Sequence, residues 1–193
     1  IHRADTLEVV KVVDPGKGGE VDTLLWLDDQ RLLLGVNVVD PDFGMPLFDP
    51  TMIVVRADRK DSSSLPANFL ATIDGDPDHL LVTACSRKEH DDCLAEVRRV
   101  DVGKTARWGE LIISAPDVHS VLLADRSGNV RFATATMDDA STRTYVHVDG
   151  KEGWTLINDS AVTALDVAPF SVAPDGKTGY LVSERKTGGD AME

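Results

Sequence analysis

Nowhere in its 193 residues does this chain carry an apolar run long enough to cross a bilayer as a helix, which takes about 20 consecutive apolar residues. Positive charge is also scarce: 20 Lys and Arg stand against 33 Asp and Glu, a formal charge of −13. Such a surface repels phosphate backbones, so the composition predicts neither a nucleic-acid nor a membrane partner. Catalytic signatures are missing as well. Without a G-x-S-x-G segment, the chain cannot supply the serine elbow of an α/β-hydrolase. There is no H-E-x-x-H, C-x-x-C or P-loop, and no G-x-G-x-x-G after a strand. Gly16-Lys17-Gly18-Gly19 precedes a strand instead of a helix and reads as a turn. The five histidines, His2, His79, His90, His119 and His147, are scattered, and the pairs Asp28-Asp29, Asp91-Asp92 and Asp138-Asp139 fall on turns, where solvated acids are expected. Asp74-Gly75-Asp76-Pro77-Asp78 imitates the start of a calcium loop, but His79 and Cys85 occupy the places of its glycine and its bidentate glutamate. Asn158-Asp159-Ser160 is a chance-level glycosylation triplet. The sequence therefore predicts no catalytic residue, no metal ligand and no cofactor.

Cysteine is nearly absent too, but the two that occur are suggestively placed. Cys85 closes the run from His79, Cys93 opens the run to Val97, and a polar loop centred on Glu89 separates them. In a hairpin symmetric about Glu89 the two sulfurs face each other across the strands, within reach of a disulfide. That bond would imply an oxidising compartment, periplasmic or extracellular. Two buried free thiols, compatible with a cytoplasmic location, are the alternative.

What the chain does contain is one phrase four times over. It reads Trp26-Leu27-Asp28-Asp29-Gln30-Arg31-Leu32-Leu33-Leu34, then Ile73-Asp74-Gly75-Asp76-Pro77-Asp78-His79-Leu80-Leu81-Val82. It returns as Leu123-Ala124-Asp125-Arg126-Ser127-Gly128-Asn129-Val130-Arg131-Phe132-Ala133, and as Val172-Ala173-Pro174-Asp175-Gly176-Lys177-Thr178-Gly179-Tyr180-Leu181-Val182. The anchors Gln30, Asp78, Gly128 and Gly176 lie 48, 50 and 48 residues apart. Each copy is an apolar run, an Asp/Gly/Pro turn and a second apolar run, the pattern of a β-hairpin. Hairpins at a period of about 40–50 residues predict an all-β chain built as a β-propeller, one copy per blade.

The units expected from this period span about 21–65, 67–113, 118–158 and 166–193, with 1–20 as an additional outer piece. Strands are expected at 21–27, 31–39 and 52–57, then at 69–73, 79–85, 93–100 and 110–113. The third unit supplies 118–124, 130–136, 143–148 and 155–157, and the fourth 169–172 and 178–184. Residues 6–13 read as an outer strand. Residues 92–100 would pass locally for a short helix, but the period favours a strand. The start at Ile1 and the finish in a fourth unit read as cut boundaries, hence an arc of a larger ring; a four-bladed ring closed by both termini is the rival. Unpaired edges on an arc would invite a second copy and a homo-dimer. The loop from Asp40 to Pro50 departs from the period and gathers Phe43, Met45, Leu47 and Phe48. It reads either as a contact loop for a partner or as a loop folding its own apolar side chains onto the blade.

Phe170-Ser171-Val172-Ala173-Pro174-Asp175-Gly176-Lys177 resembles the S-x-D-G-K blade motif of TolB-type propellers and of the N-terminal propellers of prolyl oligopeptidase-family serine peptidases. Trp26-Leu27-Asp28-Asp29-Gln30-Arg31-Leu32 is similar to a W-x-D-D-x-R-L stretch found early in those peptidase propellers. The resemblance implies a non-catalytic domain that packs on a C-terminal α/β-hydrolase domain beyond Glu193. It would gate access of short peptide substrates to a Ser-Asp-His site there. A TolB-like periplasmic interaction propeller is the alternative, and a stand-alone small propeller enzyme a third reading.

Overall fold

The computed structural model describes residues 1–39, 46–57, 61–89, 92–185 and 189–192. It is all-β, with 59% of the chain in strands. The first sheet comprises β1 (Gly19–Trp26), β2 (Arg31–Val39), β3 (Pro46–Arg56) and β4 (Ser62–Leu65). The second comprises β5 (Asn68–Ile73), β6 (Asp76–Glu89), β7 (Asp92–Asp101) and β8 (Arg107–Ser114). The third comprises β9 (Ser120–Ala124), β10 (Val130–Thr136), β11 (Thr142–Val146) and β12 (Thr155–Asp159). A one-turn helix, α1 (Ser160–Thr163), leads to the fourth sheet of β13 (Val167–Val172), β14 (Gly179–Arg185) and β15 (Gly189–Met192). Within each sheet the strands follow chain order and pair antiparallel. All four copies of the repeated phrase fall at the first hairpin of a sheet.

The sheets stack face to face, which explains the runs of consecutive apolar residues. Side chains alternate between faces along a strand, so a strand covered on both sides must be apolar at successive positions. On β6, Leu80 and Val82 face the first sheet, in a core with Leu33, Met52, Val54 and Leu65, while Leu81 faces the third, in a core with Leu122, Val130 and Ala133. Leu33, Leu80 and Leu81 are at most 1% exposed. Burial of each such side chain contributes about 1.5–3 kcal/mol. The remaining face of the first sheet, Leu32, Leu34, Val36 and Val55, is covered by Ile1 and Val13 of the N-terminal segment.

Four expectations are corrected. Residues 6–13 form no strand: Leu7 adopts φ 56° and the segment doubles back, with one isolated bridge, His2 to Val9. The doubled segment is held by Val10 N–H to Ile1 O and by the terminal ammonium donating to Lys11 O. The third strand of the first sheet begins at Pro46, not Met52, so Leu47 and Phe48 lie on β3, with Leu47 opposite Val38; Phe43 and Met45 lie outside the described residues. Pro50 has no N–H to donate, so the ladder skips between Val36↔Thr51 and Val38↔Leu47 and then resumes. The β6–β7 hairpin is not symmetric about Glu89: Cys85 pairs with Ala95, not Cys93, and a bulge before Lys88↔Cys93 shifts the register once more. The fourth sheet gains a third strand, β15, which pairs Ser183 with Ala191. The expected strand at 92–100, in place of a local helix, is met by β7, Asp92–Asp101.

Candidate functional site

Polar chemistry concentrates where the first hairpins turn. Asp28 begins as an ordinary turn residue, its Oδ1 accepting the backbone N–H groups of Gln30 (2.8 Å) and Arg31 (2.7 Å). Its second oxygen accepts from Arg31 Nε at 2.7 Å. Arg31 opens β2 just before an apolar run, and as a residue it is only 4% exposed. Its Nη1 crosses to the second sheet, reaching Asp78 Oδ1 at 2.7 Å and the carbonyl of Val102 at 3.1 Å. Arg56 repeats the crossing with a bond from Nη1 to Gly103 O at 2.9 Å.

The next junction uses backbone. Asp74 N–H donates to Arg126 O at 2.8 Å, and Gly128, at φ 82°, sits so close to Ile73 that a Cβ would lie 3.0 Å from its Cγ1. At the third junction Asp125, 3% exposed, accepts from Ser127 N and Asn129 N at 2.9 Å and from Arg131 Nε at 2.7 Å. Arg131 Nη1 also holds Asp149 at 2.6 Å. The turn of the fourth sheet closes over this pair, where a Cβ on Gly176 would come within 3.1 Å of Asp125 Oδ2. Thr144, fully buried, donates its hydroxyl to the carbonyl of Val167 on β13. The outcome is a belt of carboxylates, guanidiniums and backbone groups that ties each sheet to the next.

The electrostatics of the belt suit a tie. Burial pushes the Asp28 carboxyl up, but the N–H of Gln30 and the Arg31 guanidinium outweigh it and leave its pKa lowered. Asp125 behaves likewise, with Asn129 N–H and Arg131 prevailing over burial. Asp76 is lowered by His79, whose Nδ1 lies 2.9 Å away, and by Arg99 Nη2 at 2.7 Å. A carboxyl serving as a general acid near neutral pH needs the opposite displacement. Among the described residues no three His, Cys, Asp or Glu side chains gather as metal ligands. Two clefts, of about 80 Å³ beside Arg56 and Lys104 and about 60 Å³ beside Asn37 and Phe69, are far smaller than the roughly 300 Å³ at which ligand pockets begin.

The sequence-derived candidates lie at the opposite end. Both β2 and β6 run away from the belt, so their last residues, Val39 and Glu89, lie at the far rim of the first two sheets. Cys85 and Cys93 are joined as a disulfide near the end of β6–β7, with Cα atoms 5.2 Å apart. Leu47 and Phe48 lie along β3 toward that rim. Sequence alone hides the belt, because acids at turns are expected to be solvated. A partial signal lies in Arg131, which interrupts the apolar run Val130-Phe132-Ala133, where an unpaired guanidinium could not stay, whereas Arg31 only heads such a run. No protein-family model, curated protein or solved structure matches the chain. The class defined by the structure is thus an all-β protein of stacked antiparallel meanders.

Proposed function

We propose that the chain is part of a β-propeller that serves as a non-catalytic binding and gating platform. One observation carries this reading: four meander sheets follow one another in chain order, the first two junctions bonded at the first-hairpin end by Arg31–Asp78 and Asp74–Arg126, the third in close contact there through Gly176 and Asp125. In the main backbone contacts between successive sheets the later sheet contributes its first strand: β3 meets β5, β5 meets β9, and β9, β10 and β11 all meet β13. Such contacts suit blades that radiate from an axis beside their first strands. The resemblance of the blade motifs to prolyl oligopeptidase-family propellers supplies the partner: a C-terminal α/β-hydrolase domain, with the propeller admitting short peptides. The Cys85–Cys93 disulfide favours the second reading, a TolB-like interaction propeller of an oxidising compartment.

The test compares two proteins. This chain should turn over neither chromogenic peptides nor acyl esters, whereas a longer product of the same gene, containing G-x-S-x-G followed by Asp and His, should cleave the peptides. Robust turnover by the chain alone would sink the platform reading. A gene that encodes no such segment would leave the interaction propeller.

A further inference from the structure

The end of the β6–β7 hairpin is built differently from the rest of the second sheet. β5 last pairs with β6 at Thr83, and β8 last pairs with β7 at Glu96. Beyond those points no further strand flanks the hairpin among the described residues. The ladder then breaks at the bulge after Cys85↔Ala95, and only Lys88↔Cys93 and Glu89↔Asp92 remain to close the end. An isolated two-stranded ribbon is marginal in water, and two pairs beyond a bulge are weaker still. The disulfide from Cys85 to Cys93 spans that bulge. Cys85 is exposed, so a reductant can reach it, whereas Leu81 and Val97 beneath are buried in the core shared with the third sheet.

We propose that the Cys85–Cys93 disulfide is a redox latch that keeps the pairs Lys88↔Cys93 and Glu89↔Asp92 in place, and that its reduction frees these pairs while the sheets stay intact. A dithiol is the reductant. Its thiolate attacks the exposed Cys85 sulfur and the Sγ–Sγ bond breaks, leaving Cys93 as a thiolate that takes up a proton. The second thiol of the reductant then displaces Cys85 as a thiol and closes its own disulfide. Two electrons and two protons pass to the cysteine pair. Release frees the backbone after Arg87 and Lys88 for cleavage by trypsin-like proteases.

The experiment is native-state trypsin digestion of the full chain, oxidised or treated with dithiothreitol, with products identified by mass spectrometry. Scission after Arg87 or Lys88 should quicken at least about tenfold on reduction, given the entropy that a short cross-link removes from the open form. Scission after Arg98, inside the sheet, should not change. The Cys85→Ser/Cys93→Ser variant should behave as the reduced chain does, and reoxidation of the wild type should restore resistance. An unchanged rate at Arg87 and Lys88 overturns the latch, and so does a parallel rise at Arg98, which means global unfolding. Two alkylatable thiols before any reductant is added overturn it too.

Discussion

Arg31 shows how one residue can carry a junction between sheets. Its charge cannot remain in an apolar strand without partners, and it has three: Asp28 on its own turn, and Asp78 and Val102 O on the next sheet. Replacing it by Met keeps the aliphatic stem but leaves two carboxylates facing an apolar surface. Breaking a buried pair costs about 3–5 kcal/mol. Because the Asp28 and Asp78 side chains are 34% and 60% exposed, water recovers part of that cost. Arg31→Met should therefore lose about 2–3 kcal/mol in urea denaturation, with the first and second sheets separating. Arg143, 39% exposed and paired with Asp117 and Asp159, is the comparison: Arg143→Met should lose less than about 1 kcal/mol. Equal losses at both sites would show that burial does not decide the worth of these pairs. The phrase Asp28-Asp29-Gln30-Arg31 does not name the partners across the junction, since Asp78 and Val102 are supplied by a segment 47 or more residues away.

At the scale of elements, β6 is the strand on which two cores depend. Leu80 is fully buried against the first sheet, and its neighbours leave no route for the site to collapse. Leu80→Ala should cost about 2–5 kcal/mol, read as a lower urea midpoint with an unchanged slope. The same change at Leu156 on β12, 48% exposed, should fall within about 0.5–1 kcal/mol. If both variants lost the same stability, the stacked-sheet core would not be what holds the fold. Such strands were legible beforehand, because apolar runs such as Leu80-Leu81-Val82, bounded by Asp/Gly/Pro turns, declare strands buried on both faces. The first hairpins were legible for the same reason, four times over. What failed was register, since bulges obey constraints that periodicity does not carry. Pro50 cannot donate to a ladder, and the offset between Cys85↔Ala95 and Lys88↔Cys93 depends on how the end of the hairpin closes. The N-terminal segment misled because Val9, Val10 and Val12 have strand propensity but no neighbouring strand to pair with. The first sheet needed a cover over Leu32 and Leu34, and Ile1 and Val13 provide it. Of the candidate site, the cysteine pair could be named from spacing, whereas the belt needed the stacking of sheets to exist.

For the whole molecule, charge sets two opposing responses to acid. At neutral pH the formal charge of −13 disfavours compaction through self-repulsion, and protonating exposed carboxylates relieves it. The belt works the other way. Asp28, Asp76 and Asp125 have lowered pKa values in the folded chain, so they bind protons more readily once unfolded. Their contribution is therefore fully present above the unfolded aspartate value of about 3.9, and it is lost as pH falls through the folded values below that. The urea midpoint should stay level or rise slightly from pH 7 to pH 5, then drop steeply below about pH 4. Near the isoelectric point of 4.7, solubility rather than stability will limit the measurement, so dilute samples are needed. Asp125→Asn separates the two responses, because it removes a single buried carboxylate while barely altering the net charge. At pH 7 the variant should lose about 1.5–3 kcal/mol, the range for a charge-assisted hydrogen bond. Its deficit should shrink as acid protonates the wild-type carboxyl as well, at a pH below the ordinary aspartate range because Asn129 N–H and Arg131 hold that carboxyl down. A deficit that stays constant as the pH falls would mean that Asp125 acts by shape and not by charge, and the acid response would then have to come from the surface.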